Sequence, residues 1–210
     1  MTASTPGNSR PSTWLEIIAA DPGHSHRYRE RFRDLAARGQ DIDGEARLID
    51  AMVDRGAHVL DAGCGAGRLG GFLSAAGHSV VGVDIDPVLI EAAGSDYPGP
   101  TWLVGDLAEL DLRGEGIDAA FDMIVSAGNV VTFLDPDDRR TVLARFTEHL
   151  APDGRVVVGF GAGRGYPFDD FLADAAAGGL VSELLLSAWD VRPFTPESDF
   201  LVAVLRHSPR

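Results

Sequence analysis

The stretch His58-Val59-Leu60-Asp61-Ala62-Gly63-Cys64-Gly65-Ala66-Gly67-Arg68-Leu69 decides the fold class of this chain. A short apolar run ends in a carboxylate. Glycines then fall at Gly63, Gly65 and Gly67, and a helical pattern follows. This order predicts a buried strand, a tight loop and a helix N-terminus. Glycine permits positive φ and removes the Cβ that would keep a ligand off the backbone. The helix end adds unpaired N–H groups and the positive end of the peptide dipole. Together they predict a cradle of nucleotide size.

Outward from this loop, strands and helices alternate. Upstream, residues 14–20 and 25–38 read as short helices. Residues 41–55 form a clearer one, with Ile42, Ala46, Ile49 and Val53 at helical spacing. Downstream, residues 68–76 read as a helix that Gly77 stops, and 79–84 as a strand. Asp86-Pro87 is an N-cap followed by Pro at the first helical position. Residues 101–104, 121–126 and 155–160 are further strands. Asp135-Pro136 starts another helix, whose buried face carries Val142, Leu143, Phe146 and Leu150. Ala151-Pro152-Asp153-Gly154 reads as a turn. Residues 168–177 are helical. Strands at 182–189 and 199–206 then follow with no helix between them, which predicts an antiparallel hairpin at the sheet edge. The expected fold class is α/β: a Rossmann-like, doubly wound, seven-stranded sheet, mostly parallel, with that C-terminal hairpin and an N-terminal helical cap. The expected division is a disordered tail at 1–12, the cap at 13–56 and the core at 57–210. Ligands of such sheets sit beyond the carboxyl ends of the strands, at the switch point.

Composition narrows the partners. The 210 residues are 45% hydrophobic and 24% charged, with a formal net charge of -14 and a pI of about 4.6. That field repels phosphate backbones and anionic membranes, so neither nucleic acid nor membrane is expected as a partner. Cys64 is the one cysteine, which rules out an intrachain disulfide. No apolar run reaches the ~20 residues of a membrane span. The polar start of the chain shows no signal region, so a cytoplasmic location is expected. The histidines are scattered and Cys64 has no partner cysteine, so no metal site is expected.

The glycine loop admits two nucleotides. Gly65-Ala66-Gly67-Arg68-Leu69-Gly70 matches G-x-G-x-x-G, and Asp84 follows where that pattern places an acid for the ribose. Taken alone, this suggests an NAD(P)-dependent oxidoreductase. Three features pull away from it. Asp61 directly precedes the loop, where a carboxylate favours an ammonium or sulfonium rather than a pyrophosphate. A further acid, Asp106, follows the third strand. The chain ends in the hairpin. A non-catalytic nucleotide-binding module is the third possibility.

These residues resemble the class I S-adenosylmethionine-dependent methyltransferases, and within them the small bacterial methyltransferase-domain type. The likeness lies in Asp61-Ala62-Gly63-Cys64-Gly65-Ala66-Gly67, in Val81-Gly82-Val83-Asp84-Ile85-Asp86, in Gly105-Asp106-Leu107 and in Leu150-Ala151-Pro152-Asp153-Gly154-Arg155. It implies S-adenosylmethionine as cofactor and methyl transfer as activity. By position, Asp61 would orient the loop near the methionine ammonium, and Gly63, Cys64, Gly65 and Gly67 would bring backbone to the ligand. Asp84 would accept from the ribose hydroxyls and Ile85 would pack on adenine. Asp106 would accept from the adenine amino group and the Leu107 N–H would donate to the ring, with Gly105 beside them in the cofactor site. Ser126, Ala127, Gly128 and Asn129 would stand nearest the methyl group. Tyr28 and Arg31, on the cap, would touch the methionine end. The carboxylates of residues 61, 84 and 106 are expected to face one crevice.

The sequence displays no general base, and methyl transfer requires one only for a protonated nucleophile. No Asn/Asp-Pro-Pro-aromatic segment follows the fourth strand, where nucleic-acid amino-methylating relatives carry one, so a small-molecule acceptor is expected. Asn129, with Arg164 and Tyr166 in the loop Gly161-Ala162-Gly163-Arg164-Gly165-Tyr166-Pro167-Phe168, are candidates for its pocket. Three glycines around an arginine suggest a mobile clamp. Trp189, Arg192 and Phe194 would close the same side.

Overall fold

The computed structural model describes residues 12–117 and 120–209. The expected tail at 1–12 lies, except for Ser12, outside the described residues. Three helices precede the sheet: α1 (Thr13–Ala20), α2 (His24–Ala37) and α3 (Gly44–Met52). Then come β1 (His58–Ala62), α4 (Arg68–Ala75), β2 (Ser79–Asp84), α5 (Pro87–Asp96), β3 (Thr101–Val104), β4 (Phe121–Ser126), α6 (Val130–Phe133), α7 (Arg139–His149), β5 (Leu150–Gly161), α8 (Phe168–Ala177), β6 (Leu180–Leu186) and β7 (Phe200–His207). The seven strands form one sheet in the order β3-β2-β1-β4-β5-β7-β6. β1 to β5 pair in parallel, and β7 runs antiparallel between β5 and β6. The winding reverses between β1 and β4, which makes their carboxyl ends the switch point.

Alternate strand residues serve opposite faces. Leu60, Val81, Ile124 and Val156 join Val142, Phe146 and Phe171 of α7 and α8 on one side. Val59, Val80, Met123 and Val157 join Ala46 and Ile49 of α3 and Leu73 of α4 on the other. Helices on both faces explain why β4 is buried at every position but Asp122. At the β2–β3 edge, Trp102 lies in a nest of glycines. A Cβ on Gly67 or Gly70 would fall 2.9 Å from its ring, and one on Gly82 would fall 2.2 Å away. Its indole Nε1 donates to Tyr97 O at 3.0 Å.

Several local expectations differ: α7 begins at Arg139, past the expected start at Asp135-Pro136, and Leu150 opens β5 rather than lining that helix. The 151–154 turn lies inside β5: Phe121 pairs with Leu150 and Met123 with Arg155, so the intervening residues bulge from the ladder. β6 ends at Leu186, short of 189, because Trp189 turns back over β5, where a Cβ on Gly159 would lie 2.3 Å from its ring. Helix α6 was not expected. Its Val-Val-Thr-Phe sequence has β propensity, and it is started by Asn129 in the left-handed region (φ 69°).

Candidate active site

The glycine loop is stitched to β2. Gly63 N and Cys64 N both donate to Val83 O, at 2.8 and 3.1 Å, and Gly65 N donates to Asp84 Oδ2 at 2.8 Å. Gly63 and Gly65 have φ of 81° and 55°. A Cβ on Gly63 would fall 2.4 Å from Val130 Cγ1, so only glycine allows α6 to close on the loop. Asp84 Oδ1 accepts from Asp86 N at 2.9 Å, and burial pushes the Asp84 carboxyl above its ordinary range. Gly105 N donates to Asp84 O at 2.9 Å, which brings the end of β3 beside that of β2. There Asp106 Oδ1 accepts from Ala108 N at 2.9 Å. Across the switch point, Asn129 Oδ1 accepts from Gly161 N at 2.8 Å and ties the end of β4 to that of β5.

These ends floor a cavity of about 540 Å³. Of the expected residues, Tyr28, Arg31, Gly63, Gly65, Asp84, Ile85, Gly105, Asp106, Leu107, Ala127, Gly128, Asn129 and Arg164 line it. Trp14 and Phe133 also line it, and sequence reasoning missed them; they meet edge to face with centroids 5.5 Å apart. Helices α1 and α2 are moored over the cavity by Asp86. Its Oδ2 accepts from Trp14 Nε1 at 2.9 Å and from Ser25 Oγ at 2.5 Å, while its Oδ1 caps α5 through Val88 N at 2.9 Å. A smaller cavity of about 170 Å³ adjoins the first, and Tyr28 and Phe32 stand on the wall between them. Burial raises the Tyr28 hydroxyl above its ordinary pKa, so it stays protonated.

Four of the expected residues lie outside the main cavity. Asp61 does not share the crevice with Asp84 and Asp106. It is fully buried beside the smaller cavity, and its Oδ2 accepts from Gly70 N at 2.9 Å. Cys64 also lines only the smaller cavity, and burial lifts its thiol well above the ordinary range. Gly67 faces Ala93 and Trp102, not the main cavity. Tyr166 is packed away from the acceptor side: it stacks on Phe160 at 5.8 Å and its hydroxyl donates to Asp174 Oδ2 at 2.9 Å.

A solved structure described as a TehB-like SAM-dependent methyltransferase from Corynebacterium glutamicum is 52% identical to this chain. It superposes with a TM-score of 0.85 over 90% of this chain and 100% of that one. This chain belongs to the S-adenosylmethionine-dependent methyltransferases. A family model described as a methyltransferase domain matches residues 59–154. A carboxy-S-adenosyl-L-methionine synthase from Chromohalobacter salexigens is 34% identical over 60% of this chain and 48% of its own length. An 18S rRNA (guanine-N(7))-methyltransferase from Mus musculus is 26% identical over 60% of this chain and 43% of its own. The chain thus spans about half the length of the curated relatives it matches.

The site of this methyltransferase fits the family's cofactor. Asp84 and Asp106 offer carboxylate acceptors where a nucleoside presents hydroxyl and amino donors, with apolar Ile85, Leu89 and Leu107 beside them. A Cβ on Gly128, at φ 78°, would meet nothing within 4 Å, so the backbone there lies open. The Gly65-x-Gly67-x-x-Gly70 pattern calls for the Asp84 acid at a ribose and gives no role to Asp106. Moreover, Gly67 and Gly70 of the Gly65-x-Gly67-x-x-Gly70 pattern serve Trp102 rather than the cavity.

Proposed function

We propose that this chain transfers a methyl group from S-adenosylmethionine to a small-molecule acceptor in the larger cavity. The observation that carries the reading is the pair Asp84 and Asp106, on adjacent strand ends in one cavity with the glycine loop between β1 and α4. The cofactor supplies a sulfonium-activated methyl, so the protein must align, hold and exclude water. Asp84 and Asp106 accept from the nucleoside, and Ile85 and Leu107 pack on its base. Gly63 and Gly65 keep the loop clear of side chains. Asp61, from beneath, orders the loop and first turn of α4 through Gly70 N. Tyr28 closes the wall toward the smaller cavity. Asn129 keeps the tips of β4 and β5 together, where the acceptor enters beside Arg164.

An acidic chain whose cavity is walled by α1 and α2 suits a metabolite better than a polynucleotide. Titration calorimetry with S-adenosylhomocysteine, against NADH, tests the cofactor. S-adenosylhomocysteine is expected to bind, and Asp84→Ala to weaken it by about 1–3 kcal/mol. Tight NADH binding without a response to S-adenosylhomocysteine would overturn the reading. For the acceptor, S-adenosylhomocysteine formation is compared with an ultrafiltered metabolite extract and with total RNA. Turnover only on RNA refutes the small-molecule assignment.

A further inference from the structure

The chain has 32 acidic residues against 18 basic, yet α2 and the loop after β5 bring Arg27, Arg31 and Arg164 to the main cavity. Arg27 is paired with Asp21. Among the described residues nine arginines form ion pairs and seven, Arg31 and Arg164 among them, form none.

Arg164 is exposed and lies close to the tip of β5. Its Nε lies 3.3 Å from where a Cβ on Gly161 would stand, and Asn129 Oδ1 lies 3.6 Å from the same point. The guanidinium therefore lies across the tip of β5 beside Asn129, and glycine at 161 leaves it room. The rest of the loop is braced. Gly163 and Gly165 take left-handed φ of 73° and 77° to fold it back. Arg139 Nη2 donates to Gly165 O at 3.0 Å, and the Arg139 guanidinium lies 4.0 Å over the Tyr166 ring. Tyr166 donates to Asp174, which Arg140 Nε holds at 2.6 Å, and its ring packs on Phe160 and Phe171. The clamp expected from the glycines is thus tied to α7 and α8.

We infer that Arg164 recognises a carboxylate on the acceptor, and that Tyr166 and Arg139 are positioning residues that hold it at the tip of β5. The inference rests on the methyltransferase reading, because it takes this end of the cavity as the acceptor's entrance. A guanidinium fork matches a carboxylate with two parallel hydrogen bonds. Trp14 and Phe133, which line the same cavity, offer an edge-to-face aromatic wall for a flat apolar body. Overall acidity repels anions at long range, so a chain that takes an acidic acceptor must reverse the sign locally. Arg164 supplies positive charge at this end of the cavity, which Asp84 and Asp106 also line.

Benzoate and benzamide, nearly equal in shape, are the probes. Each is titrated into the full chain by calorimetry, alone and with saturating S-adenosylhomocysteine. Benzoate is expected to bind about tenfold more tightly than benzamide, a difference of about 1.4 kcal/mol. Arg164→Gln should abolish the preference, and Arg164→Lys should restore part of it. Tyr166→Phe keeps the ring packing but loses the Asp174 bond, so it should lower the benzoate preference several-fold. Equal binding of the two probes, undetectable binding of both, or a preference that survives Arg164→Gln overturns the carboxylate assignment. A Tyr166→Phe variant with a lower Tm and an unchanged preference overturns the bracing role. The S-adenosylhomocysteine titration judges the cofactor reading separately, because the probe ratio is also measured without it.

Discussion

Asp61 and Asp84 stand at neighbouring strand ends, and burial acts on both. For Asp61 it outweighs the Gly70 hydrogen bond and pushes the carboxyl up to about 7. In the unfolded chain the group titrates near the ordinary aspartate value of 3.8. Between those values the native state holds the proton more firmly, so stability from this group is complete at the acid end and falls as pH rises. Asp84 adds a shift of the same direction. Asp50, Asp96 and Asp174 are held below the usual carboxylate range and act oppositely, at more acidic pH. Tm of the ligand-free protein is therefore expected to decline from about pH 5 to about pH 7. Asp61→Asn, whose side-chain oxygen still accepts from Gly70 N, should flatten that decline. An unaltered profile would show that Asp61 does not carry it. The residue types of this site were legible in the sequence, but their directions were not. An acid before a glycine loop reads as a ligand contact. The amide that turns Asp61 away is Gly70 N, nine residues on, inside a helix.

Asp86 shows the same limit at the scale of the element. Its capping of α5 is legible from Asp-Pro. Its mooring of α1 and α2 is not, because Trp14 and Ser25 lie 72 and 61 residues away in sequence. Asp86→Ala removes the cap, worth about 1 kcal/mol, and leaves the buried Ser25 hydroxyl and the half-buried Trp14 indole without their acceptor. Amide hydrogen exchange is expected to accelerate across residues 13–37, while β1, β4 and β5 stay protected. Uniform protection throughout would disprove the mooring. The Trp102 nest makes a second prediction. Gly82→Ala drives a methyl into the indole and should cost about 1–3 kcal/mol in chemical denaturation. In a Trp102→Leu background the added cost should shrink, because the two side chains are coupled. Additive losses would argue against the clash. The short helix α6 escaped the sequence because its residues prefer strands; Asn129 at positive φ and the packing of Val130 on Gly63 override that preference.

Across the whole molecule, most of the architecture could be read from the chain. Apolar runs separated by capped helices specify the parallel sheet, and two strands without a helix between them specify the hairpin. The bulge at 151–154 could not be read, because it depends on which β4 residues Leu150 and Arg155 meet. The tie of the Arg164 loop to α7 and α8 depends likewise on contacts that cross three elements. The distribution of indoles has a practical result. Of three tryptophans, Trp102 is enclosed by glycines, Trp189 lies on Gly159, and Trp14 alone lines the main cavity among the described residues. The protein thereby carries its own fluorophore at the place where ligands arrive. Filling the cavity should change the emission of Trp14 in proportion to occupancy, and Trp14→Phe should silence the change, so unlabelled samples can be screened by light alone.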